Sequence, residues 1–161
     1  MPPLLPRAAL TLAAVSAAAL LAGCGSAGST ASAPTTPPMP QTFQAEAVAR
    51  QEFGLLAGGG WIQAWSLWDA TSQQAISGND FAKLNTECKP AVGIPYVIDK
   101  STKLDQDTVR VDWHHGADTG SNTLAYQQGK WRFTPDATAL AAYRTGVDQL
   151  VQQRQAAGSC H

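Results

Sequence analysis

His114 and His115 stand side by side, with Asp112 two residues before them and His161 at the chain's end. Imidazole and carboxylate are ligands that suit zinc. Neighbours on a strand point to opposite faces, so these two rings cannot close on one ion without a bulge. The expectation is no metal, with one imidazole in water and the other in or near the core. Nucleophilic catalysis has no better footing, since the chain holds no G-x-S-x-G, no phosphate-binding loop and no paired CxxC. Asp112 falls on the outward face of its segment, whereas a carboxylate base needs burial to bring its pKa into a working range. We therefore expect no catalytic residue and no cofactor. Aromatic side chains remain. Trp61, Trp65 and Trp68 recur at i, i+4 and i+7, as a ligand wall or as core. Trp113, His115, Tyr126 and Trp131 share the inward face of alternating segments. Trp65 and these four are the candidate pocket lining, with plain packing as the alternative.

Three cysteines carry the other chemistry. Ala8 to Leu20 is apolar or small apart from Thr11 and Ser16, and Arg7 precedes it, as in a signal peptide. The run is shorter than the ~20 residues that span a bilayer. Leu21-Ala22-Gly23-Cys24 follows at once and resembles the bacterial lipobox, in which the cysteine thiol receives a diacylglyceryl group. Two or three acyl chains at about 0.8 kcal/mol per buried methylene hold a protein firmly on a membrane. The expected organisation is a signal peptide over residues 1–23, which is removed, then lipidated Cys24 and a Gly/Ser/Pro-rich tether over 24–42, then one folded domain over 43–161. That places the chain on the outer face of the cytoplasmic membrane, in the cell envelope, with the lipid as its membrane partner. Cys88 and Cys160 remain, in a compartment where disulfides persist. A bridge between them would close a long loop and contribute about 4 kcal/mol by chain entropy. Two separate buried thiols are the alternative.

The net charge is −1 and no run of like charges occurs, so the chain offers no basic stripe for nucleic acid. From Thr42 the pattern becomes helical, with Phe43, Ala47, Val48, Leu55 and Leu56 apolar and Glu46 and Arg50 spaced i, i+4. Gly58-Gly59-Gly60 ends that helix. A second helix is expected over WIQAWSLWDATSQQ, and a third from Ser77 as N-cap to a stop at Pro90. Alternation then predicts strands at IPYVID, TVRVDWHH, NTLAYQ and KWRF, with Gln128-Gly129 as a two-residue hairpin. Thr134 as N-cap and Pro135 at N1 open a closing helix carrying Leu140, Tyr143, Val147, Leu150 and Val151, weakened at Gly146.

Helices first, an antiparallel meander next and a last helix make an α+β domain. The stretch GGGWIQAWSLWDATSQQAISGNDFAKLNTEC, together with TVRVDW and TLAYQQGKWRFTP, resembles the nuclear transport factor 2-like superfamily, and within it small bacterial lipoproteins. The resemblance implies N-terminal helices packed on a curved antiparallel sheet, wrapped into a cone with a cavity at its open end. The closing C-terminal helix departs from the minimal form. Anchor, tether and disulfide without acid–base chemistry point to a lipid-anchored, non-catalytic module that binds an envelope partner or a small apolar ligand. The alternative is a cone-pocket enzyme of isomerase or dehydratase type, with an inward His or carboxylate as base.

Overall fold

The structure, a computed structural model, describes residues 39–160. The stretch expected to be a signal peptide, Cys24, most of the expected tether and His161 lie outside the described residues. Four strands pair in chain order as an open antiparallel meander: β1 (Tyr96–Lys103), β2 (Thr108–His115), β3 (Asp118–Gln127) and β4 (Lys130–Thr134). The β3–β4 hairpin turns at Gln128 and Gly129, both at positive φ, which matches the right-handed twist of the strands. One sheet face carries Val109, Val111, Leu124 and Phe133 into the core. Helix α1 (Thr42–Gly58) lies across that face, and the chain is of the α+β class.

The buried face of α1 is Ala45, Ala49, Glu52 and Phe53. Phe43, expected on it, is 70% exposed, and Ala47 is exposed as well. The small alanines let α1 approach the sheet closely, and the helix rotates to present them. Gly59 ends α1 in the left-handed region, as the glycine run predicts.

The expected second helix is two short ones, α2 (Trp61–Ser66) and α3 (Ala70–Gln73). Between them the backbone straightens and pairs with β4. The Phe133 N–H donates to Leu67 O at 2.9 Å, and the Asp69 N–H donates to Phe133 O at 3.0 Å. Asp69 then caps α3. Its carboxylate, 5% exposed, accepts from the Ser72 N–H at 2.9 Å, Ser72 Oγ at 2.6 Å and Thr134 Oγ1 at 2.9 Å. Burial alone would raise its pKa, but the four donated hydrogen bonds from Ser72, Thr134 and Thr71 outweigh that and hold it below the ordinary value.

Helix α4 (Gly78–Glu87) starts as expected, with Ser77 Oγ accepting from the Asp80 N–H. Cys88 closes it and is disulfide-bonded to Cys160, so the bridge reading of the two cysteines holds. The closing helix is also two: α5 (Ala137–Tyr143) and α6 (Val147–Ala156), parted by Gly146 at φ 92°. Asp136, not Thr134, caps α5, because Thr134 still belongs to β4. Lys83 pairs with Asp148 at 2.7 Å and, with the disulfide, ties α4 to α6.

Replacing Asp69 with alanine leaves the Ser72, Thr134 and Thr71 donors without their acceptor and removes the α3 cap. Urea unfolding of Asp69→Ala should show a loss of about 2–3 kcal/mol. A loss below 0.5 kcal/mol would mean the carboxylate does not hold this junction.

Candidate functional site

A cavity of about 220 Å³ opens between α1, α4, α5 and the sheet. It is smaller than the ~300–1,000 Å³ of sites for drug-sized ligands. Its wall is mainly aromatic. Phe53 comes from α1, Trp61 and Trp68 from α2 and the straight segment after it, and Phe81 from α4. The sheet adds Tyr96, Trp113 and Phe133, and α5 adds Tyr143. These rings support one another. Trp68 stacks on Tyr143 at 5.9 Å and meets Phe81 edge-on at 4.7 Å, while Phe53 stacks on Tyr96 at 5.0 Å.

One carboxyl stands in this wall. Glu52, fully buried on the inner face of α1, accepts the Trp68 indole N–H through Oε1 at 2.9 Å. Its Oε2 is buried and has no hydrogen-bond partner. Loss of water around the charged form pushes its pKa up to about 8, and the Trp68 hydrogen bond offsets only part of that. Glu52 is therefore a neutral acid at pH 7, able to donate from one oxygen while the other accepts. Tyr143 is driven up to about 12, chiefly by burial, and burial also raises Tyr96. Both phenols stay protonated at physiological pH. At the rim, the Asp136 carboxylate accepts from the Ala139 N–H as the cap of α5.

Of the five residues expected to line a pocket, Trp113 lines this one. Its indole N–H donates to Asn122 Oδ1 at 2.6 Å, and Asn122 in turn reaches Thr134 O. Gly120 faces Trp113 across the β2–β3 register, and a Cβ there would overlap the indole ring. His115 stacks on Tyr96 at 4.1 Å, behind the wall rather than in it. Tyr126 and Trp131 pair with each other at the β3–β4 hairpin end of the sheet, away from Trp113. Trp65 turns to α4, donating to Ile76 O at 2.9 Å and lying against Gly78. The stripe expected from Trp61, Trp65 and Trp68 is thus split: Trp61 and Trp68 line the cavity, and Trp65 does not.

His114 bonds Asp99, the bulged residue of β1, at 2.8 Å on the outer face, and Asp112 pairs there with Arg110. The two histidines are on opposite sides of the sheet, as strand alternation requires. Among the described residues no group of three His, Cys, Asp or Glu side chains is arranged to hold a metal ion.

Sequence reading passed over Glu52, Tyr96 and Tyr143. A glutamate in a helix usually faces water. A signal was nevertheless present: Ala45, Ala49 and Glu52 fall at i, i+4 and i+7, so a buried alanine seam runs straight into the carboxyl.

The carboxyl imprints a pH dependence on stability. Folded Glu52 titrates near 8 and unfolded Glu near 4.5, so the native state binds the extra proton between those values. Stability is then fully present below about pH 4.5 and declines through pH 8, by up to about 1.4 kcal/mol per pH unit. Glu52→Gln should flatten that slope and melt progressively higher than the parent as pH rises from 5 to 8. Parallel slopes for the two proteins would exclude a buried titrating carboxyl.

No protein-family model matches this sequence, and no curated protein sequence matches it significantly.

Proposed function

We propose that this chain is a lipid-anchored, extracytoplasmic binding module whose folded part takes a small, largely apolar ligand into the cavity beneath α1. The observation that carries the reading is the cavity itself, with an aromatic wall interrupted by one buried carboxyl that still has an unanswered oxygen. Apolar walls with a few oriented polar groups are the usual build of a small-molecule site. The anchor rests on Leu21-Ala22-Gly23-Cys24 after an apolar run, and the address on the outer face of the cytoplasmic membrane follows from it. Helices laid on one face of a meander are in keeping with the nuclear transport factor 2-like cone, whose open end would be this cavity.

Glu52 also supports the second reading, an enzyme of isomerase or dehydratase type with an inward carboxylate. Binding is the better account. Glu52 has the raised pKa a base needs, but its one hydrogen-bond partner is the Trp68 indole, and no second side chain that could move a proton is hydrogen-bonded to it.

Two measurements test the proposal. Palmitate labelling of cells should mark the parent and not Cys24→Ser, and equal labelling would remove the anchor. Titration of the full chain with a small neutral alcohol, 3,3-dimethylbutan-1-ol, should change tryptophan fluorescence through Trp61, Trp68 and Trp113. Ala139→Phe, which fills the wall from α5, should abolish that change. An unaltered titration in this variant would place the alcohol elsewhere.

A further inference from the structure

The charges and rings around this cavity narrow the ligand class, an argument that rests on the cavity being the binding site. Of the seventeen lining residues, eight are aromatic and two are acids, Glu52 and Asp136; none is Lys, Arg or His. Ring faces are negative and ring edges positive, and the two lining side chains that carry a full charge when ionised are both acids. An anion finds no partner here. A neutral ligand led by an acceptor oxygen could accept a hydrogen bond from protonated Glu52 but gains nothing from Asp136 or from a ring face. A cation is attracted by rings and carboxyl together.

We propose that the cavity is an organic-ammonium site, taking a cation about the size of a trimethylammonium group on a short stem, with its charge seated among Trp61, Trp68 and Trp113 and answered by Oε2 of Glu52. The unpartnered oxygen is then the position the ligand completes. The fixed hydrogen bond from Trp68 to Oε1 aims the carboxyl, and Asp136 at the rim adds a second negative charge on the way in. Entry of the cation stabilises the carboxylate form, so binding expels the proton Glu52 carries in the empty protein.

That linkage has a defined sign. The other titratable groups facing Glu52 are Tyr96 from β1 and Tyr143 from α5, with Asp136 at the rim. From α4 and strands β2 to β4 the wall presents Phe81, Asn85, Trp113, Asn122 and Phe133, none of which titrates. Behind that wall the His115 ring stacks on Tyr96 and the Arg154 guanidinium bonds Tyr143, so proton release that disappears in Glu52→Gln is what assigns the proton to Glu52. Ammonium affinity should rise close to tenfold per pH unit between pH 6 and 8 and level off above that range.

Choline and its uncharged isostere 3,3-dimethylbutan-1-ol separate the alternatives, titrated calorimetrically into the full chain at pH 6, 7 and 8 in buffers of different ionisation enthalpy. The expected result is choline binding at least tenfold tighter than the alcohol at pH 8, a gap that narrows toward pH 6, and release of up to one proton. Glu52→Gln should lose the preference for choline over the alcohol and the pH dependence of choline binding. Trp61→Leu, at the half-buried rim, should weaken choline more than the alcohol even if the glutamine variant folds poorly. Equal or tighter binding of the alcohol, or a choline affinity that does not move with pH, overturns the ammonium assignment and leaves the apolar-ligand reading standing. Failure of both probes to bind overturns both.

Discussion

A single contact organises this domain: the indole N–H of buried Trp68 held by the carboxyl of buried Glu52. Trp68 can reach it because the backbone on either side is hydrogen-bonded to Phe133, which pulls residues 67–69 out of the helix and onto the edge of β4. Asp69 locks the turn back into α3 and binds Thr134 as well. Helix α1, the straight segment and the last strand are therefore joined through consecutive residues. Without Trp68 held there, Glu52 would be left with neither oxygen answered.

The same contact sets the chemistry. A carboxyl with two satisfied oxygens would be a structural strut; one with a single satisfied oxygen is a strut with an open valence. Desolvation keeps it neutral at pH 7, and that neutrality is what makes its burial tolerable, since an isolated buried charge costs far more than a buried acid. The rings around it do double duty as core and as wall. Phe53, Trp68 and Phe133 belong to the central hydrophobic cluster and also face the cavity. This economy explains why the cavity is small: each ring is packed against a neighbour and cannot retreat.

The far side of the cavity is closed by elements that the core alone does not hold tightly. Helix α5 has no fully buried residue, and α6 buries only Leu150 and Val151. The Cys88–Cys160 disulfide and the Lys83–Asp148 pair fasten this end to α4. An exposed ion pair contributes little by itself, so the covalent bridge is the main restraint on the helices that carry Tyr143 and Asp136 to the rim. Gly146, at a φ few other residues adopt, provides the corner that lets the two helices cover two sides.

Sequence alone determined the features that depend on local physics. Glycine runs end helices, Ser77 and Asp80 start one, and Gln128-Gly129 turns a hairpin, because each acts over four residues or fewer. Alternation placed His114 and His115 on opposite faces for the same reason. The Cys88–Cys160 bridge was one of two readings the sequence left open, and the fold chose it. Tertiary structure decided the rest. Strand register separated Tyr126 and Trp131 from Trp113, although all share one face, because position along a strand is a property of pairing rather than of period. The rotation of α1 buried Glu52 and exposed Phe43, since close approach to the sheet favoured the alanine seam over the more apolar side. Most of all, the break at Leu67 came from a strand 65 residues away in sequence, a distance at which no local pattern can speak.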